Sequence, residues 1–358
     1  MALGIILGTR PEIIKMTPII RMCEERAIPY YILHTGQHYS HELDQAFFRD
    51  LELPDPTFNL HAGSGTHAEQ TAHILTGVEK TLQKTDTSVA LVQGDTNTVL
   101  AGALAAAKIH VPVGHVEAGL RSQDRSMPEE INRIVADHLS DLLFAPTEES
   151  RANLLKEGIP GDKIHVTGNT IVDAVYQNLK LAQEKSTILQ QLSLEPHRYI
   201  VATFHRAENV DSRERIAGII EGLNLVAEHL DKPIIYSVHP RTQKMIKEFK
   251  ITTKNLKLIK PLGYLDFLAL EAASSLVLTD SGGVQEEACI LGVPCATLRE
   301  NTERPETLQV GSNILVGTEP DRILRGALEM SRRKTGWRNP FGDGKAAEKI
   351  LTIIEELN

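Results

Sequence analysis

Carboxylates, histidines and arginines able to move protons or hold phosphate stand in short blocks along this sequence, most of them directly after an apolar run. Asp95 follows residues 89–93 in Gly94-Asp95-Thr96-Asn97-Thr98, and Glu117 follows residues 112–116 in the block His115-Val116-Glu117-Ala118-Gly119-Leu120-Arg121. Glu129 and Glu130 open a helical stretch at Pro128, which continues through Ile131-Asn132-Arg133. Carboxylates gathered at one sheet edge push one another's pKa values apart and can divide acid and base work between them. Each also has a plainer use. Taken alone, Asp95 reads as a helix N-cap, and Glu129 and Glu130 suit a helix N-terminus for dipole reasons. Their joint placement is what favours chemistry.

Four further blocks fit an anion. Gly8-Thr9-Arg10-Pro11-Glu12 is a tight turn with proline at an early helical position, which would aim free N–H groups and the Arg10 guanidinium at one spot; a surface arginine beside a cap is the alternative. Thr203-Phe204-His205-Arg206-Ala207-Glu208-Asn209 and Val238-His239-Pro240-Arg241 each offer His and Arg after an apolar run. Asp280-Ser281-Gly282-Gly283-Val284-Gln285-Glu286-Glu287 starts a helix with a hydroxyl and two glycines. A diphosphate could approach its N–H groups, with Glu287 one turn on to grip a ribose, although a plain helix start has the same composition. The Gly-x-Gly-x-x-Gly fingerprint and the Walker lysine are both absent, which counts against a dinucleotide or an ATPase.

Something must carry these blocks to one edge. Apolar β-branched runs at residues 3–7, 89–93, 112–116, 142–145 and 164–166 alternate with amphipathic helical stretches, and a second series runs at 199–203, 234–238, 256–259, 276–279, 294–298 and 314–316. The pattern predicts an α/β protein with two Rossmann-like, doubly wound parallel sheets, in which ligands bind beyond the carboxyl ends of the strands. Residues 172–186 read as a helix and 192–197 as a polar loop, so the domain crossing falls between 167 and 197. Domains at 1–170 and 171–344 follow, with a last helix at 345–358 that the pattern alone assigns to neither.

A chain of 358 residues suits two domains better than one, and 41% hydrophobic with 24% charged residues is ordinary globular composition. A net charge of −9, with scattered basic residues, argues against a nucleic-acid or anionic membrane surface but not against one focused phosphate site. The first apolar run has no basic residue before it and is too short for a signal segment or membrane span. Cys23, Cys289 and Cys295 form no Cys-x-x-Cys pair, so reduced thiols and a cytoplasmic location are expected. His34, His38 and His41 are close enough to suggest a metal. They straddle a strand end and a loop with no cysteine or paired carboxylate at ligand spacing, so none is expected.

The blocks at Gly8–Glu12, Gly94–Thr96, His115–Arg121, Pro128–Arg133, His205–Asn209 and Ser281–Glu287, with Thr302-Glu303-Arg304-Pro305-Glu306, resemble the non-hydrolysing UDP-N-acetylglucosamine 2-epimerases over nearly the whole chain. The resemblance implies a GT-B-like fold with the active site in the cleft, a homodimer, no cofactor, and a last helix that returns to the first domain. It implies catalytic positions at Asp95, Glu117, Glu129 and His205. Arg10, His239, Ser281, Gly282, Gly283 and Glu287 would line the UDP site, Lys15 and Arg206 join the substrate-binding group, and a loop at Thr302 and Arg304 would close over the substrate. The implied reaction converts UDP-N-acetylglucosamine to its manno epimer through 2-acetamidoglucal, for cell-surface polysaccharide precursors. A GT-B glycosyltransferase would use the same UDP site without the carboxylate cluster, and a hydrolysing epimerase would release N-acetylmannosamine. One departure concerns regulation. Bacterial members activated by their own substrate resemble one another in an Arg-Gln-Thr segment and a Gln-His-x-Gln stretch, which read here Glu69-Gln70-Thr71 and Gln37-His38-Tyr39-Ser40. Glu69 in place of a cation repels a diphosphate while Gln37 and Gln70 remain, so activation that is weaker or uses different contacts is expected.

Overall fold

The computed structural model describes residues 2–36 and 47–356. Thirteen strands among them form two wholly parallel sheets. The first contains β1 (Ala2–Leu7), β2 (Tyr30–His34), β3 (Phe58–Asn59), β4 (Thr87–Gln93), β5 (Val113–Val116), β6 (Leu142–Ala145) and β7 (Ile164–Val166), in the order β3-β2-β1-β4-β5-β6-β7. The second contains β8 (Ile200–Thr203), β9 (Ile234–Ser237), β10 (Leu256–Ile259), β11 (Val277–Thr279), β12 (Cys295–Thr297) and β13 (Asn313–Leu315), in the order β10-β9-β8-β11-β12-β13. All eleven apolar runs named above appear as strands; β2 and β3 are additional.

Both sheets follow one winding rule. Each begins at a central strand, steps outward twice, then returns to pair the first strand on its other side: β1 with β4, and β8 with β11. The strand order reverses at that point, which leaves a crevice beyond the carboxyl ends where helices on opposite faces diverge. Strands covered on both faces must be apolar throughout, and the buried Leu3, Ile5, Ile6 and Leu7 of β1 show why that run had no alternation to read. Where a helix lies close against a strand, its residues are small: a Cβ on Gly102 would sit 3.0 Å from Val92 Cγ1. The alanine-rich Asn97–Lys108 helix therefore packs directly on the sheet in a core with Ile6, Leu33, Ala90 and Val92. The second sheet is covered likewise, with Ile219, Leu223 and Met330 among the residues buried on one face and Tyr199, Leu270 and Ala288 on the other.

The chain divides into two compact units, Met1–Gln177 with Phe341–Asn358, and Asn178–Pro340. The division falls inside the Thr170–Lys185 helix. The last helix, Ala346–Glu355, packs against the Arg10–Arg26 helix, and its first N–H groups at Ala346 and Ala347 donate to the buried Asp173 carboxylate at 3.2 and 3.0 Å. Among the described residues no helix is long and apolar enough to cross a membrane.

Candidate active site

In the first unit the crevice is framed by the turns after β1 and β4. In the turn after β1 two of the N–H groups that its composition would aim at an anion are taken within the turn. Glu12 folds back and its carboxylate accepts from Gly8 N at 2.6 Å and Thr9 N at 2.8 Å. It also accepts from the Thr96 hydroxyl in the turn after β4. Glu12 thus ties the two turns together, while burial pushes its carboxyl up to about 7 against the lowering effect of those bonds. Arg10 remains exposed, its guanidinium 5.9 Å from the Phe47 ring centroid.

Asp95 is not the helix cap that its position in the block suggests. Thr96 takes that role, its hydroxyl accepting from Thr98 N at 3.1 Å. The Asp95 carboxylate instead pairs with Arg133, whose other N–H reaches Glu130 at 2.9 Å. Glu130 also accepts from Ser122 N, Ser122 Oγ and Gln123 N. Burial works against its charge, but those donors and Arg133 hold its carboxyl below the ordinary value. Of the paired glutamates, then, Glu130 is buried in the network that holds Asp95, and Glu129 on the same helical turn is exposed.

Glu117 lies just past β5 with φ +74°, a left-handed conformation uncommon outside glycine. It is buried, and its carboxylate accepts from Lys15 Nζ at 2.6 Å, Asn169 Nδ2 at 3.2 Å and Gln93 Nε2. Lys15 comes from the second turn of the Arg10–Arg26 helix and is itself buried. Gln93 and Asn169 were not singled out in the sequence, though each carries a signal: a polar residue at the last position of β4, and one three residues past β7.

The second unit repeats the construction with a different acid. Asp280, directly after β11, is fully buried and accepts from His205 N at 3.1 Å, Arg206 N at 3.0 Å and Asn209 Nδ2 at 3.0 Å. It therefore ties the turn after β8 to the turn after β11, as Glu12 ties those after β1 and β4. The His205 side chain is half exposed, with its ring centroid 6.3 Å from that of His239. His239 caps the next helix through Nδ1, which accepts from Arg241 N at 3.3 Å; burial, with the charges of His205 and Arg241, lowers its pKa. Arg206 donates to Asp280 O at 3.0 Å and approaches Glu303 at 3.6 Å.

The Gly282–Leu291 helix starts at Ser281 with no side-chain cap and no acid in its first turn, and a Cβ on Gly283 would meet open space. Its N-terminus is accordingly approachable. Thr302 donates to Gln285 Oε1 at 2.6 Å, and Arg304 pairs with Glu286 at 2.6 Å, so both residues anchor their loop to this helix. Arg299, not suspected from sequence, grips Glu303 through two N–H bonds at 2.9 and 2.8 Å. Burial opposes charge on Glu303, yet those bonds and nearby Arg206 bring its pKa down to about 2. Glu287 is buried beside Tyr264 and Glu271.

Glu69, considered above for an effector pocket, closes a capping box: it accepts from Thr66 N at 3.1 Å and Thr66 Oγ1 at 2.9 Å. Gln70 donates to Gly63 O at 2.7 Å and accepts from Asn97 Nδ2 at 2.8 Å. Gln37, His38 and His41 lie outside the described residues.

Two Rossmann-like parallel sheets, each with a polar constellation at its strand-order reversal, define a GT-B-like α/β enzyme. The chain belongs to the UDP-N-acetylglucosamine 2-epimerase family of isomerases: the sequence model of that description matches residues 21–355. The UDP-N-acetylglucosamine 2-epimerase of Methanocaldococcus jannaschii is 55% identical over 361 residues, which cover 99% of this chain and 99% of that protein. Its crystal structure in complex with UDP-GlcNAc and UDP matches with a TM-score of 0.91 over 99% of this chain and 100% of the other. The UDP-GlcNAc 2-epimerase from Neisseria meningitidis, solved bound to UDP-GlcNAc, is 34% identical with a TM-score of 0.90, covering 99% and 100%.

Proposed function

We propose that this chain interconverts UDP-N-acetylglucosamine and UDP-N-acetylmannosamine by eliminating and re-adding UDP, without hydrolysis. The C2 proton of the sugar is not next to a carbonyl, so it becomes removable only as the C1–O bond breaks and positive character develops at the ring. In the forward half-reaction the C1–O electron pair leaves with UDP, a protein base takes the C2 proton, and the C–H pair forms the C1=C2 bond of 2-acetamidoglucal. In the return half-reaction a phosphate oxygen of UDP attacks C1 while C2 takes a proton on its opposite face.

The observation that carries this reading is the pair of carboxylates at adjacent strand ends, Asp95 after β4 and Glu117 after β5. Each is gripped by one basic side chain, Arg133 and Lys15, and neither is spent on a helix cap. Two carboxylates so placed supply the two proton transfers. Glu129 is exposed on the neighbouring helix and completes the set only if substrate reaches it. In the second unit His239, Ser281, Gly282, Gly283 and Glu287 hold UDP, and His205 with the uncapped helix N-terminus stabilises charge growing on the departing diphosphate, an electrostatic effect worth roughly 3 kcal/mol per well-placed donor. The protein acts as a cytoplasmic homodimer supplying a polysaccharide precursor.

Proton NMR of UDP-N-acetylglucosamine with the protein in deuterium oxide tests the scheme. Deuterium should enter C2 of both epimers, because the abstracted proton exchanges with solvent before the glucal is recaptured. Retention of the original hydrogen in the manno product would sink elimination, and accumulation of free N-acetylmannosamine would identify a hydrolase.

A further inference from the structure

One buried group near the carboxylates has no part in the scheme so far. His115 is the third of the four residues of β5 and fully buried. Its Nε2 lies 2.8 Å from Gly94 O and its Nδ1 lies 2.6 Å from Asp137 Oδ1. A carbonyl oxygen only accepts, so Nε2 carries a proton. Asp137 accepts elsewhere too, on Oδ2, from Gly119 N at 3.2 Å and Arg121 Nη1 at 2.8 Å. Paired with the Arg121 cation, which with His115 lowers its pKa, Asp137 is a carboxylate, and the second ring nitrogen facing it also carries a proton.

We infer that His115 is a positioning residue, an imidazolium that holds the Gly94 peptide and thereby aims Asp95. The inference rests on the proposed use of Asp95 and deepens it. Gly94 has φ +86°, and its N–H is fixed to Val116 O at 3.1 Å. Its carbonyl is fixed by His115 and the next carbonyl, of Asp95, by Asn132 Nδ2 at 2.9 Å. Three successive backbone groups of the turn are thus held from β5 and from the Pro128–Leu139 helix. With the backbone locked, Arg133 can fix the carboxylate direction.

The charges around the ring agree with this state. Burial alone disfavours the cation, but Asp137 from the helix, the Gly94 carbonyl, and Glu117 from the turn after β5 together raise the His115 pKa above its ordinary value. Arg121 faces Asp137 from that same turn and is itself tied to Glu157 at 2.6 Å. On Asp137 burial is outweighed by His115 and Arg121, which lower its pKa.

Two substitutions separate holding Gly94 from merely filling space. In His115→Gln the amide nitrogen falls near the place of Nε2 and can still donate to Gly94 O; in His115→Asn it falls near Nδ1 and can reach only Asp137. The Gln variant should keep most of kcat, while the Asn variant should lose on the order of a hundredfold with little change in KM, as expected when reacting groups shift by about an ångström. Equal loss in both, or greater loss in Gln, would overturn the inference, as would near-normal kcat in both. Nitrogen-15 NMR of the imidazoles is a second, independent measurement on the unmodified protein. One histidine, missing from the spectra of both variants, should keep two protonated nitrogens well above the pH at which an ordinary imidazole becomes neutral. A bare nitrogen on that ring would refute the imidazolium. Should the wild-type chain fail to epimerise UDP-N-acetylglucosamine, the proposed function fails while the NMR still decides the bridge.

Discussion

An ammonium and a carboxylate 2.6 Å apart, with side chains only 9% and 5% exposed, make Lys15–Glu117 a pair whose partners depend on each other. Removing one member of such a pair leaves an uncompensated buried charge and costs about 3–5 kcal/mol, while removing both together is nearly neutral. Urea unfolding should therefore show Lys15→Met to be less stable than the double variant Lys15→Met/Glu117→Gln. A single variant no worse than the double would mean that the pair is solvated. Glu12 yields a pH-dependent expectation. Its carboxyl sits at about 7 in the folded chain against an ordinary 4.5, so between those values the folded state keeps a proton that the unfolded state has lost. Stability contributed by this group is present below that window and is lost as pH rises through it, by up to about 3 kcal/mol for a shift of this size. Glu12→Gln has no such group and should gain on wild type between about pH 4.5 and pH 7. Parallel stability curves would show that Glu12 is not raised.

At the scale of elements, caps and turns decide which polar residue is left for chemistry. Because Thr96 caps the Asn97–Lys108 helix, Asp95 is released from that duty. The turn after β5 depends on Gly119, with φ +82° and no room for a side chain: a Cβ would lie 2.3 Å from Ser150 O. Gly119→Ala should destabilise by at least about 2 kcal/mol, combining backbone strain with overpacking. A melting temperature unchanged by this substitution would show that the turn can relax. These elements also mark how far the sequence could be read. Strands buried on both faces and bounded by Gly or Pro stand out as apolar runs, and most of the functional blocks are legible because they follow such a run. The run at Tyr30–His34 was just as apolar but passed unmarked, and β3, with two residues, has no period to detect. What local pattern cannot show is pairing across the chain. Arg133 meets Asp95, 38 residues away, because β4 and β5 are neighbours in the sheet, and Asn209 meets Asp280, 71 away, because the strand order reverses between β8 and β11. For the same reason the spacing of Glu129 and Glu130 could not say which of them turns inward.

The molecule as a whole has two separately packed cores, so its unfolding need not be a single transition. UDP held by residues of the second unit should stabilise that unit by mass action, about 2.7 kcal/mol at a hundred times Kd. Calorimetry with UDP should raise the transition that belongs to Asn178–Pro340, and Glu287→Ala should weaken the rise. An equal rise with Glu287→Ala would move the nucleotide away from that residue. The two-sheet architecture was legible from eleven apolar runs, whereas the home of the last helix was not, because an amphipathic helix does not name the surface it covers.

That last helix has a consequence for how the chain is made. The first unit takes in Phe341–Asn358 as well as Met1–Gln177, and the buried Asp173 carboxylate accepts from the backbone N–H groups of Ala346 and Ala347. On a ribosome the second unit can fold as soon as it has emerged, while the first, though synthesised earlier, waits for its closing segment. During that interval the face of the Arg10–Arg26 helix that receives the Ala346–Glu355 helix is bare. The unit translated first is therefore the one finished last, and nascent chains should be most dependent on chaperones before residue 341 leaves the exit tunnel.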